Sequence, residues 1–181
     1  MYILTVLSIN GKHWMNIFIT NLDPIKSADD HCKRHRNKMI VEYAQLLSSA
    51  HHVLGGDIDG IYKKTHVNHP SAVWTRSARE HYVWVWRCAM QLCVNYTRDT
   101  GKVHKTESVL QLLSTPPVSI RDVAFRNPPV AAPDEFKALA VFGDVCNAYQ
   151  KYLISKFNEW QQRDKPLNVE FDHVPNWYTF N

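Results

Sequence analysis

Four side chains in one predicted helix have the types and the spacing that chemistry on a carbonyl carbon requires. His31, His35 and Lys38 follow one another at steps of four and three residues, and Glu42 comes four residues later. Such steps place side chains on one face of an α-helix. A lysine amine that is partly withdrawn from water loses its proton more readily and can attack an aldehyde. Lys38 is therefore a candidate nucleophile, and the other three residues are candidates for orienting it or moving protons.

Other interpretations of these residues stay open. A lysine and a glutamate four residues apart also form an ordinary ion pair on a helix surface. His31 and His35 have the H-x3-H spacing of helical metal sites, and a loop adds an H-x2-H pair. The loop pair is His66 and His69. Neither pair has a third ligand at a zinc-site spacing, so we expect no metal or other cofactor and keep a His-liganded metal-dependent hydrolase as an alternative.

A second set of residues is basic and aromatic, and most of it lies around the loop 63–69 and the helix that follows. The candidate nucleic-acid contacts are Lys64, His66, Asn68, Trp74, Arg76, Arg79 and Tyr82, with Trp177 near the C-terminus. Such cations hold phosphates, and aromatic rings stack on bases. His69, beside them, completes the candidate catalytic group. The alternative is a solvated charged face whose lysine stems cover apolar surface.

The elements that position these residues are predicted to be helices. A first helix is expected over 27–52, capped by Ser27, with a polar and basic first half and an apolar second half. A central helix is expected from Pro70, which suits a first turn, to about residue 100. Its apolar stripe runs through Trp74, Ala78, Tyr82, Val85, Ala89, Leu92 and Tyr96. A last helix is expected over 144–163, followed by an aromatic tail that docks back.

The rest of the chain completes an all-α prediction. Residues 114–133 are rich in proline and lack a clean period, so we expect an irregular segment on the surface. Residues 1–14 are predicted to be an N-terminal extension, and 15–181 a single globular α-helical domain. The predicted architecture is a compact bundle of about three long helices.

Composition restricts the class of protein. The chain has 181 residues, 45% of them hydrophobic and 21% charged, with a net charge of +4. These values are typical of a soluble globular protein and permit a polyanionic partner. No apolar run has the length of a membrane span, so no membrane partner is expected. The four cysteines show no C-x-x-C spacing, which favours free thiols in a reducing compartment.

Three stretches resemble a family of bacteriophage proteins without an established activity. They are HCKRHRNKMIVEYAQLLSSAH, YKKTHVNHPSAVWTRSAREHYVWVW and YTRDTGKVHKTE. The resemblance covers most of the chain after Met15. It implies a viral source, and hence the cytoplasm of the infected host.

A more distant resemblance is to the pyrimidine-dimer DNA glycosylases of the phage endonuclease V type, which are compact all-α proteins. It is carried by residues 28–31, by His66 or His69, and by the pair at 177–178. It implies that the histidine at 31 belongs to an active site and that the aromatic tail contacts DNA. That family uses the α-amine of its second residue, which is available here only if Met15 is the start. Where it carries an Arg-Glu pair, this chain has Asn-Lys at 37–38, so Glu42 would replace the carboxylate.

Taken together, these observations predict a phage DNA-binding protein that acts on a base or an abasic site. The predicted chemistry is that of a DNA glycosylase or lyase, in DNA repair or modification, with Lys38 as the amine. A non-catalytic protein that binds nucleic acid or a host protein through the same basic surface is the alternative from another class.

Overall fold

The computed structural model describes residues 15–56, 58–141 and 143–179, and seven α-helices occupy these ranges. The helices are α1 (Pro24–Asp29), α2 (Lys33–Leu54), α3 (Pro70–Ser77), α4 (Arg79–Thr100), α5 (Glu107–Leu112), α6 (Asp134–Ala140) and α7 (Val145–Gln161). The described ranges contain no strand, so the all-α prediction is confirmed. Three helices are long: α2 and α4 have 22 residues each and α7 has 17. The predicted extension, 1–14, lies outside the described residues.

The predicted first helix is interrupted between α1 and α2. Asp23, rather than Ser27, caps α1, because its side chain accepts a hydrogen bond from the backbone N–H of Ile25 at 2.8 Å. The chain is extended at Cys32 (φ −64°, ψ 153°), and α2 begins one residue later. His31 therefore precedes α2, and the prediction that it shares one helical face with His35 was wrong.

The predicted central helix is also interrupted, at a single residue. Ala78 is extended (φ −151°, ψ 148°) and separates α3 from α4. The backbone N–H that begins α4, that of Arg79, donates to the carbonyl of Arg121 at 2.8 Å. The ring of His81 stacks on Trp74 across the break, with centroids 4.2 Å apart. The proline-rich segment thus supplies a hydrogen-bond partner that a continuous helix would not need.

The core forms around α4, which packs against α1, α2, α3 and α5. The predicted apolar stripe of this helix is buried from Tyr82 to Leu92, while Tyr96 is half-buried. The facing side chains of α2 are fully buried and include Met39, Ile40, Tyr43, Leu46 and Leu47. Within the described ranges, no helix combines the length and the apolar character that crossing a bilayer requires.

A buried, non-helical segment, 15–20, lies inside the fold between α2 and α7. Ile17, Phe18 and Ile19 are all buried. The N–H of Phe18 donates to the hydroxyl of Tyr43 on α2 at 3.2 Å. On the other side, the amide of Gln150 on α7 donates to the carbonyl of Thr20 at 2.9 Å. This segment therefore sets the spacing between the two helices that carry the candidate site.

The aromatic tail docks onto the fold, as the sequence predicts. Tyr178 is buried, and its ring lies 5.5 Å from that of Phe157 on α7 and 5.2 Å from that of Phe171, centroid to centroid. The indole N–H of Trp177 donates to the carboxylate of Asp30 at 3.0 Å. Tyr178 thereby covers part of α7 at Phe157.

Candidate functional site

A partly shielded ion pair lies on α2. The ammonium of Lys38 is 2.9 Å from Oε1 of Glu42, and their side chains are 33% and 13% exposed. The second oxygen, Oε2, is buried and has no hydrogen-bond partner among the described residues. Burial raises the pKa of Glu42, while Lys38 and the backbone N–H of Asn16 act in the opposite direction. Glu42 is thus a carboxylate with one free oxygen and an increased affinity for a proton.

A second lysine, Lys156 on α7, interacts with the charges of this ion pair. The ammonium of Lys156 is 3.4 Å from the hydroxyl of Tyr152, and it lies 5.4 Å from the ring of Tyr152 and 5.7 Å from that of Trp160. Burial, and then the neighbouring cation of Lys38, lower the pKa of Lys156 to about 8, while Glu159 and Glu42 act in the opposite direction. An amine with this pKa carries a substantial neutral fraction near physiological pH.

Sequence analysis overlooked Lys156, although a signal was present. It lies on the apolar side of α7, four residues after Tyr152 and four before Trp160. A lysine between two aromatic residues at helical spacing is held against their rings and loses part of its hydration. The four residues Lys38, Glu42, Tyr152 and Lys156 are called the amine cluster below.

The two histidines predicted beside Lys38 lie in the interior. His35 is 4% exposed, and its ring contacts those of Phe18, Trp160 and Phe157 at centroid distances of 4.9, 5.0 and 5.4 Å. Burial, followed by the charge of Lys156, holds the pKa of His35 well below its usual range. His35 is therefore a neutral ring on the inner side of the amine cluster.

His31 is buried as well, but it keeps one free nitrogen. Its Nδ1 donates to the carbonyl of Ser27 at 2.7 Å, because a carbonyl oxygen can only accept. Its Nε2 is buried without a hydrogen-bond partner among the described residues. Burial lowers the pKa of His31 to about 4, against the opposing effect of the hydrogen bond that the ring donates to the Ser27 carbonyl. The ring is thus neutral, and Nε2 presents an unused lone pair.

His69 is placed at the N-terminus of α3, as the sequence predicts. Its Nδ1 accepts a hydrogen bond from the backbone N–H of Ser71 at 3.2 Å and caps the helix. Burial, and then the nearby His66, lowers the pKa of His69. The Ser71 hydroxyl donates to the carbonyl of Met15 at 3.1 Å, so this helix end is held against the buried segment 15–20.

The predicted nucleic-acid contacts divide between surface and core. Lys64, His66 and Asn68 are exposed on the loop 63–69. The two arginines of the set, Arg76 and Arg79, are half-buried.

The aromatic members of that set have structural partners. Trp74 is buried, and its indole N–H donates to the carbonyl of Arg126 at 2.8 Å. Tyr82 is fully buried and donates to the carbonyl of Leu113 at 2.8 Å. Neither ring presents a face on which a base could stack. Trp177 is half-buried and is the aromatic member nearest to solvent.

The histidines predicted as an alternative metal site do not come together. Within the part of the chain that the structure describes, no three His, Cys, Asp or Glu side chains are arranged to hold a metal ion. His31 lies in the core, whereas His66 is exposed on the loop.

A separate cleft of about 470 Å³ lies at the N-terminal end of α2. It is lined by Lys33, Arg34, Arg36, Asn37, Asp99, Thr100, Asn168 and Glu170. Arg36, 2% exposed, is its organising residue: it contacts Asp99 at 2.7 Å and Asp172 at 3.0 Å. Three of its charged groups, Lys33, Arg36 and Asp99, are engaged with one another as ion pairs.

Comparison of the chain with protein-family models, with curated proteins and with solved structures found no match. The function is therefore inferred from the side chains of the candidate site.

Proposed function

We propose that this is a bacteriophage protein that binds DNA and acts on a base or an abasic sugar through a lysine amine, as DNA glycosylases and lyases do. One observation carries the proposal: Lys38 pairs with the carboxylate of Glu42 at 2.9 Å, and the half-buried amine of Lys156 on α7 interacts with both of their charges. Imine chemistry needs an amine that is neutral part of the time and a group that moves protons. Such a protein would work in the host cytoplasm, in DNA repair or modification.

The proposed reaction begins at C1′ of the sugar. In the ring-opened abasic form, C1′ is an aldehyde, and the amine adds to it; water leaves and a C=N bond remains. Glu42 then accepts the proton from C2′, and the electrons of that C–H bond expel the 3′ phosphate. The free oxygen of Glu42 and its raised pKa suit it for this proton transfer.

DNA binding is supported by the exposed polar loop. Lys63, Lys64, His66 and Asn68 are all exposed there, and the chain has a net charge of +4. Exposed cations of this kind bind phosphates independently of sequence and release counterions. The loop lies next to α3, whose N-terminus is capped by His69.

The direct test is borohydride trapping with a duplex that contains one abasic site. The wild-type protein is expected to form a covalent adduct that the Lys38→Ala/Lys156→Ala double variant lacks, and an intact duplex is the control. If the wild-type protein yields no adduct, the catalytic proposal fails.

A second candidate function is non-catalytic binding of nucleic acid. It is favoured by the burial of Trp74 and Tyr82, because a protein that flips a base usually stacks it on an aromatic ring. A salt-dependent complex without any product after long incubation would support this candidate.

A further inference from the structure

We propose that Lys156, rather than Lys38, is the amine that attacks the carbonyl carbon of the substrate. As far as DNA is concerned, the inference rests on the proposed function. Independently of DNA, we assign a carbonyl-reactive lysine to α7, and an aldehyde or a ketone is its class of ligand.

The two amines differ in their pairing. Lys38 is held in an ion pair with Glu42 at 2.9 Å, so its ammonium is already engaged by a carboxylate. Lys156 has no carboxylate at ion-pairing distance among the described residues. Its own contacts are the Tyr152 hydroxyl and two ring faces. The acidic residue three positions later, Glu159, is paired with Arg163 at 2.6 Å.

The surroundings of Lys156 favour the neutral form of its amine. The groups that face it are Lys38, Glu42 and His35 on α2, Cys32 before α2, and Tyr152 and Glu159 on α7. Burial is the main cause of its lowered pKa, of about 8, and the like charge of Lys38 is the second cause. At pH 7.5 about a quarter of such an amine is neutral, against roughly 0.1% of an ordinary lysine with a pKa near 10.4. Lys38 therefore acts as a positioning residue that favours the neutral form of Lys156.

The proposed step is a condensation of the lysine amine with a carbonyl group. The neutral amine of Lys156 forms a C–N bond to the carbonyl carbon while the carbonyl oxygen takes up a proton. The nitrogen then loses its remaining protons, the hydroxyl leaves as water, and an imine remains. Glu42 relays the protons, because its Oε2 is not engaged by any other group in the described part of the chain.

The experiment uses the full chain and 2-deoxyribose 5-phosphate, a soluble aldehyde that resembles an abasic nucleotide. The protein is incubated with this sugar and cyanoborohydride over a range of pH values, and the modified lysines are located by peptide mass spectrometry. Lys151, exposed on the same helix, is the internal control. We expect at least tenfold more adduct on Lys156 than on Lys151 at pH 7.5, with half-maximal labelling of Lys156 near pH 8.

Variants separate reactivity from structural effects. Lys156→Arg should lose the adduct at this position, and Lys151→Arg should leave labelling of Lys156 unchanged. Lys38→Met should keep the adduct but move its half-maximal pH upward, because removal of a neighbouring cation raises the pKa of Lys156. Labelling of Lys156 no greater than that of Lys151, or labelling mainly on Lys38, would overturn the inference.

Trapping on an abasic duplex distinguishes this inference from the proposed function. If the sugar labels Lys156 but the duplex forms no adduct, the assignment of the amine stands and the action on DNA fails. If the duplex is trapped through Lys38 and Lys156→Arg is fully active, the action on DNA stands and the assignment of Lys156 fails.

Discussion

The ammonium of Lys38 and Oε1 of Glu42 are 2.9 Å apart on adjacent turns of α2, while Oε2 of the same carboxylate is buried and unpartnered among the described residues. Oε1 of Glu42 is thus paired, whereas Oε2 has no hydrogen-bond partner among the described residues. A buried carboxylate that satisfies only one oxygen lowers the stability of the fold. Its position beside Lys38 is what a proton-transfer role would require.

Glu42→Gln tests that role. The amide keeps the size of the side chain and removes its ability to accept a proton, so we expect the rate of strand cleavage at an abasic site to fall by about 100-fold or more. Stability at pH 7.5 should change by less than about 1 kcal/mol, because a neutral amide costs less to bury than a carboxylate. Glu135→Gln, exposed on α6, is the matched control and should keep the full rate. Full cleavage by Glu42→Gln would exclude Glu42 as the proton carrier.

His35→Phe tests the consequence of burying a histidine among aromatic rings. Because the pKa of His35 is lowered in the folded protein, its contribution to stability is complete above the unfolded pKa near 6.5 and is lost as the pH falls below it. We expect the variant to equal the wild type at pH 7.5 and to exceed it by about 2 kcal/mol at pH 5. Urea denaturation at both pH values measures the difference.

His31 provides the comparison for that experiment. Its pKa of about 4 predicts that the protein loses stability as the pH falls from about 6.5 to 4. The His35→Phe variant still contains His31, so it should show this loss as well. Equal acid sensitivity of His35→Phe and wild type would show that the ring at 35 takes up a proton without cost, contrary to its burial.

Arg36→Met tests the ion-pair network that ties the tail to α2 and α4. Two carboxylates, Asp99 and Asp172, would lose a nearly buried partner, and we expect a loss of about 3 kcal/mol in the free energy of unfolding. Arg98→Met removes an exposed partner of the same Asp172 and should cost less than about 1 kcal/mol. Similar losses in both variants would contradict a special role for the buried guanidinium.

Lys63→Ala/Lys64→Ala tests the proposed DNA surface. If both ammonium groups contact phosphates, the affinity for duplex DNA falls, and the slope of log K against log salt decreases in magnitude by roughly 2. Lys137→Ala, on exposed α6 and paired with Asp134, is the control and should leave the slope unchanged. Fluorescence anisotropy at several salt concentrations measures both quantities. An unchanged slope in the loop variant would place the DNA elsewhere on the molecule.

Local sequence was sufficient to predict most of the helices. Pro70 at the first turn of α3 and Gly101 after α4, with φ 69°, mark helix ends through their own backbone preferences. The apolar period of α4 predicts its buried stripe because burial repeats with the helical turn. The pair at Lys38 and Glu42 follows from the same geometry, since residues four apart on a helix are neighbours.

Tertiary contacts decided the breaks and the composition of the site. The N–H of Lys33, which begins α2, donates to the carbonyl of Glu170 at 2.8 Å, and no local pattern predicts a partner so distant in the chain. The charge of Lys38 acts on Lys156 because the segment 15–20 and the aromatic rings around His35 hold α7 near α2. The pKa of Lys156 is lowered by burial and by the charge of Lys38, and both depend on this arrangement of the two helices. Local propensities fix which residues are helical, whereas desolvation and charge at a site depend on which helices pack together, and that is set by the whole core.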